Sequence, residues 1–159
     1  MIGCFPGGFS AGMPLCDPRC VPVWHMHESI ERLQRLCRQN HRVALGSSGQ
    51  WATPGTDDWW SRIGEAMDAI CDEHGRPLCK LHGLRMLNPT VFSHLPLSSA
   101  DSCNCGRNAG MDSRWIGPYS PPTRESRALV LAARIEHHAS AACWNSESRG
   151  VRENRSLFG

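Results

Sequence analysis

The sequence predicts an α/β fold of about four parallel strands with intervening helices. Short apolar runs alternate with stretches of helical periodicity, and such alternation implies βα units around a parallel sheet with right-handed crossovers. The chain has 159 residues, enough for one domain and too few for two of ordinary size. A complete (β/α)8 barrel takes about 250 residues, so the chain supplies about half of one. A small open doubly wound sheet is the alternative.

Residues 1–20 carry Gly, Pro and Cys without periodicity and read as an irregular lead-in. The βα region is expected over 21–144 and a polar tail over 145–159. Val21–His27 is a short apolar run that reads as the first strand. Glu28 opens a helix through Asn40, with Ile30, Leu33, Leu36 and Cys37 on one face. His41–Leu45 is the second strand and stops at Gly46-Ser47-Ser48-Gly49. Asp57 or Asp58 caps a helix whose apolar face is Trp60, Ile63, Met67 and Ile70, ended by Gly75 and Pro77. Leu78–Leu84 is the third strand. Pro89 starts a short helix to Leu95. Leu97–Ala100 is the fourth strand, ending at Asp101. A loop of about twenty residues follows, a length usually reserved for function or disorder. The last helix is expected over Arg124–Trp144.

The formal charge is +2, which excludes a strong polyelectrolyte footprint. All but one of the 17 basic residues are Arg, the exception being Lys80. Arg suits bidentate phosphate contacts, although codon bias explains the same excess. The nine cysteines form no CxxC pair and read as mostly reduced thiols of a cytoplasmic protein. No apolar run is long enough for a membrane span, and the N-terminus lacks the pattern of a secretory signal.

Chemistry in α/β folds gathers at the carboxyl ends of the strands. Those ends are His25–Glu28, Gly46–Gln50, His82–Arg85 and Asp101–Asn108. A carboxylate at Asp101 can attack an anomeric carbon or stabilise an oxocarbenium-like transition state, or can cap a turn. Successive N–H groups at Gly46–Gly49 can donate to a carbonyl or phosphate oxygen. The lysine of a phosphate-binding P-loop is missing there.

The segments HRVALGSSGQ and KLHGLRMLNPTVFSHLPLSSADSCNCGRNAG resemble the C-terminal half of the tRNA-guanine transglycosylase barrel, over residues 41–110. That family has a Gly-rich loop after one strand and a Gly-containing strand end one helix later. Its nucleophilic Asp then stands six residues ahead of an Arg-Asn pair. Here these are Gly46–Gly49, His82-Gly83-Leu84-Arg85, Asp101 and Arg107-Asn108. The closer resemblance is to divergent queuine-transglycosylase-like proteins of phages and actinobacteria, some of which modify DNA. The resemblance implies a partial TIM (β/α)8 barrel that exchanges guanine for a 7-deazaguanine base in tRNA or DNA, without a cofactor. Asp101 would form the covalent glycosyl intermediate. Gly46, Ser47, Ser48 and Gly49 would cradle the purine, His82 and Gly83 would lie against it, and Arg107 and Asn108 would contact phosphate or orient the loop. A base being exchanged must leave the stack, so a snug pocket is implied. The family's N-terminal half and its CxCxxC zinc motif have no counterpart here. A second copy or a complementary half-barrel is therefore the implied partner.

Two readings of other classes stand beside this one. A half-barrel can bind nucleic acid or a partner without catalysis. Alternatively, His25-x-His27 can bind one metal, as in metal-dependent amidohydrolases, with His82 and Asp101 as further ligands. Cys4, Cys16 and Cys20 lack the partners of a metal knuckle. Trp51, after the Gly-rich loop, is the indole best placed to stack a base; Trp60 reads as core and His137-His138 as a solvated helix face.

Overall fold

The computed structural model describes residues 20–102 and 121–146. Four parallel strands, β1 (Val23–His25), β2 (Arg42–Gly46), β3 (Lys80–Leu84) and β4 (Ser99–Ala100), form one sheet in the order β1-β2-β3-β4. The helices are α1 (Ile30–Gln39), α2 (Asp57–Ile70), α3 (Pro89–Phe92) and α4 (Arg124–Glu136), with a 3-10 turn at Gly49–Trp51. The α/β class with parallel strands is as the sequence predicts. Strand order follows chain order without reversing, so the described strands contain no switch point of the doubly wound kind. No helix among the described residues is long and apolar enough to cross a membrane.

Strands β1, β3 and β4 are shorter than the apolar runs that predicted them, while β2 keeps its length and is shifted by one residue; the cause is visible at β1. Glu28 does not open the helix. Its N–H donates to the His25 carbonyl at 2.8 Å, and its carboxylate accepts from the His25 N–H at 2.8 Å. The turn so closed hands the capping task to Ser29, whose hydroxyl accepts from the Arg32 N–H. Helix α1 therefore starts at Ile30.

Helix α2 is capped by Thr56 rather than by either aspartate; the Thr56 hydroxyl accepts from the Trp59 N–H at 3.3 Å. Asp57 and Asp58 lie in the first turn, where negative charge suits the helix dipole. Thr56→Ala is expected to cost about 1 kcal/mol, read as a lower urea midpoint with an unchanged slope. The helix stops at Ile70 because the Asp72 carboxylate takes the N–H groups of His74 and Arg76, and Cys71 then bridges to Pro77. The expected helix to Trp144 ends at Glu136, and His137 caps it.

Strand alternation sends Trp24, Val43, Leu45 and Leu81 to one face of the sheet. There they pack with Leu33 of α1 and with Ile63, Met67 and Ile70 of α2, all fully buried. Trp59 belongs to this core and Trp60 is only partly buried, the reverse of the sequence expectation. Helix periodicity alone could not separate two adjacent indoles. The choice follows the Trp59 indole N–H, which donates to the Ser47 hydroxyl at 2.9 Å. The chain after α4 returns to the body of the fold: the Ala141 N–H donates to the Leu95 carbonyl, and Trp144 donates to Asp68 and to the Gly75 carbonyl.

Candidate functional site

The opposite set of alternating residues builds the site. Register aligns Val23, Ala44, His82 and Ser99 across the four strands, and His25, Gly46 and Leu84 in the next row. Asp101 follows β4 directly and continues its pairing, with its N–H on the Gly83 carbonyl at 3.0 Å. The Leu87 N–H returns to the Asp101 carbonyl at 3.0 Å. The Asp101 main chain is thus tied at both its N–H and its carbonyl, which fixes where the side chain starts.

One Asp101 carboxylate oxygen accepts from the Arg85 N–H at 2.7 Å, a short bond to a charged acceptor. The other faces His82 Nε2 at 3.4 Å, and the carboxylate is about half exposed, at 54%. On the other side of the imidazole, His82 Nδ1 lies 2.9 Å from the Ser99 hydroxyl. One tautomer of a neutral ring satisfies both contacts: Ser99 donates to Nδ1, and Nε2–H points at the carboxylate. Arg85 itself has φ 61°, the left-handed region, which costs a non-glycine residue about 1 kcal/mol. Arg85 stands in the strand-end segment that the sequence singles out, but without a role of its own. Ser99 reads as an ordinary strand position, and its meeting with His82 depends on strand register.

The glycine turn lies elsewhere on the same end of the sheet. Gly46 closes β2, two strand spacings from Asp101, about 10 Å. The immediate neighbours of the carboxylate are therefore His82 and Arg85, not the turn. Both serine hydroxyls of the turn are engaged: Ser47 accepts from Trp59, and Ser48 Oγ lies 2.8 Å from His27 Nδ1. The His25 ring lies against Gly46, where a Cβ would meet its Nδ1 at 2.8 Å, while Gly49 faces open space. Gly83, expected against the base, is turned to the packed face. A Cβ there would stand 2.8 Å from Leu97 Cδ1 and 2.9 Å from Met86 Cβ. Its lack of a side chain serves close packing, and only its backbone reaches the site. Arg107 and Asn108 lie outside the described residues.

His25 and His27 stack with ring centres 5.6 Å apart and planes 12° from parallel. Among the described residues no group of three or more His, Cys, Asp or Glu side chains is placed to hold a metal. Trp51 is partly buried, and the Arg62 guanidinium sits 5.3 Å from its ring and 5.5 Å from that of Trp24. Arg62 also donates to the carbonyls of Met26 and Glu28, tying α2 to the turn after β1. The face of Trp51 thought available to a base is thus shared with an arginine. On the sequence Arg62 looks like any solvated helix residue; only the packing of α2 against that turn reveals its task.

Searches of family models, of curated proteins and of solved structures find no match to the chain.

Proposed function

We propose that the chain is a transglycosylase-like protein in which Asp101 is the nucleophile. The observation that carries this is a half-exposed carboxylate at a strand tip. One of its oxygens is pinned by a backbone N–H and the other is opposed by an imidazole. A carboxylate so oriented can add to the anomeric carbon of a nucleotide, forming a C–O bond as the bond from sugar to guanine breaks. The departing purine anion needs a proton; a protonated His82 imidazole, with Nε2–H nearest the carboxylate and Nδ1–H toward Ser99, gives it and is left as neutral imidazole. The incoming 7-deazaguanine then loses its ring N–H proton to the same imidazole, attacks the sugar and releases Asp101.

The unreversed strand order supports a segment of a singly wound (β/α)8 barrel, with the row containing His82 and Ser99 facing its interior. A second copy or a complementary half-barrel supplies the remaining strands. The substrate is tRNA or DNA, held through arginine contacts to phosphate.

Incubation with labelled guanine and either tRNA or DNA tests the reading. Stable incorporation supports it. Tight binding of the polynucleotide without incorporation, by the chain and by its assembled oligomer, leaves the non-catalytic binding module in its place. Ser99→Ala is expected to slow exchange about 10- to 100-fold, because the imidazole loses the contact that sets its tautomer and direction. The loss should fall on kcat rather than KM. A rise in KM with kcat unchanged would make Ser99 a packing residue only.

A further inference from the structure

A second reactive centre lies at the other end of the sheet, independent of Asp101. A cavity of about 700 Å³ opens where α1 ends and β3 begins. Cys37 and Cys79 both line it, together with Arg38, His41 and Lys80, and no Asp or Glu is among its described lining residues. Cys37, on α1, is buried to 3% exposure, while Cys79, just ahead of β3, is partly buried. The sequence gives no hint of this pairing, since the two cysteines stand 42 positions apart, from 37 to 79.

We propose that Cys37 and Cys79 form a thiol–disulfide exchange site that takes an anionic low-molecular-weight disulfide, with Cys79 as the attacking sulfur and Cys37 as the resolving one. The two thiols share the cavity wall, Cys79 packed against the core cluster that contains Cys37, and are linked by a side-chain hydrogen bond. That bond holds Cys79 below the ordinary thiol value and Cys37 above it; burial opposes the first shift and adds to the second, and the Val43 backbone also favours the Cys79 thiolate. An attacking thiolate in a partly open, electropositive bowl is the environment in which cysteines react.

The step balances. The Cys79 thiolate attacks one sulfur of the disulfide, forming a mixed disulfide and expelling one thiolate. Cys37 loses its proton to solvent and attacks the Cys79 sulfur, and the second thiolate leaves. The products are a Cys37–Cys79 disulfide and two small thiols; the chain is oxidised by two electrons and the small disulfide is reduced by two.

The test is peptide mapping of the full reduced chain during incubation with glutathione disulfide at neutral pH. Cys79 is expected to react ahead of the exposed Cys20 and Cys143 and to end as a Cys37–Cys79 disulfide. Cys37→Ser and Cys37→Ala should trap glutathione on Cys79; having both variants guards against one failing to fold. Cystamine, a cationic disulfide, should react with Cys79 about tenfold more slowly. Prior modification of Cys20 or Cys143, a stable glutathione adduct on Cys79 in the unmutated chain, or equal rates with both disulfides would each overturn the proposal.

Discussion

Asp101→Asn is expected to leave the chain folded and to lower base exchange at least about a thousandfold, some 4 kcal/mol of transition-state stabilisation. The fold should survive because an asparagine side-chain oxygen can still accept the Arg85 N–H that Asp101 holds at 2.7 Å. The chemistry should not, because a neutral amide oxygen is too weak a nucleophile to displace a purine from its sugar. Two measurements read the result: incorporation of labelled guanine, and recovery of a covalent protein–polynucleotide adduct after denaturation. Asp101→Ala is expected to lose exchange as well and to destabilise the chain by about 1–3 kcal/mol, since the Arg85 N–H loses its charged acceptor. The pair of variants separates two tasks of one side chain. Exchange that persists in Asp101→Asn would sink the nucleophile and leave Asp101 as the cap of the turn after β3.

The largest expected loss of stability is at a glycine far from this site. Gly75 has φ +73°, and a Cβ there would stand 2.2 Å from the Trp144 carbonyl oxygen and 2.9 Å from its nitrogen. The neighbouring atoms are backbone, and they are tied in place by the Trp144 N–H on the Gly75 carbonyl at 2.7 Å and by the Trp144 indole on Asp68 at 2.6 Å. Gly75→Ala should therefore cost about 3 kcal/mol or more, combining a left-handed alanine with an overpacked contact that cannot yield. Gly49→Ala is the internal control. Its φ is +60° but nothing lies within 4 Å of the added carbon, so only the conformational cost of about 1 kcal/mol remains. Urea unfolding of the two variants beside the unmutated chain checks the difference. Equal losses would mean that the segment carrying Trp144 moves aside freely.

The sequence reached the α/β class, the four strands and the order of the helices. Those depend on side-chain periods of 2 and 3.6, which are local and can be counted along one chain. It reached Asn88-Pro89 as the start of α3, because a proline at the first helical position needs no partner elsewhere. It did less well wherever neighbouring residues compete for one task. Trp59 against Trp60 is decided by a contact outside the segment, the Ser47 hydroxyl, whereas Ser29 against Glu28 and Thr56 against Asp57 turn on backbone geometry within three residues that side-chain period does not carry. The site shows the same division. Asp101 and His82 stood out as polar residues at strand ends. Their pairing, the Ser99 contact 17 residues away and the Arg85 N–H came only from the register that sets β3 beside β4.

By itself, then, the order of residues determined which segments become strands and helices and which end of the sheet carries Asp101, His82 and the glycine turn. Only the tertiary structure decided that Asp101 faces an imidazole rather than the glycine turn, that Gly83 serves packing, and that Cys37 meets Cys79. The physical reason is range. Backbone propensity and hydrophobic period act within a few residues, whereas hydrogen bonds between strands and the filling of a shared core join residues whose distance along the chain carries no signal.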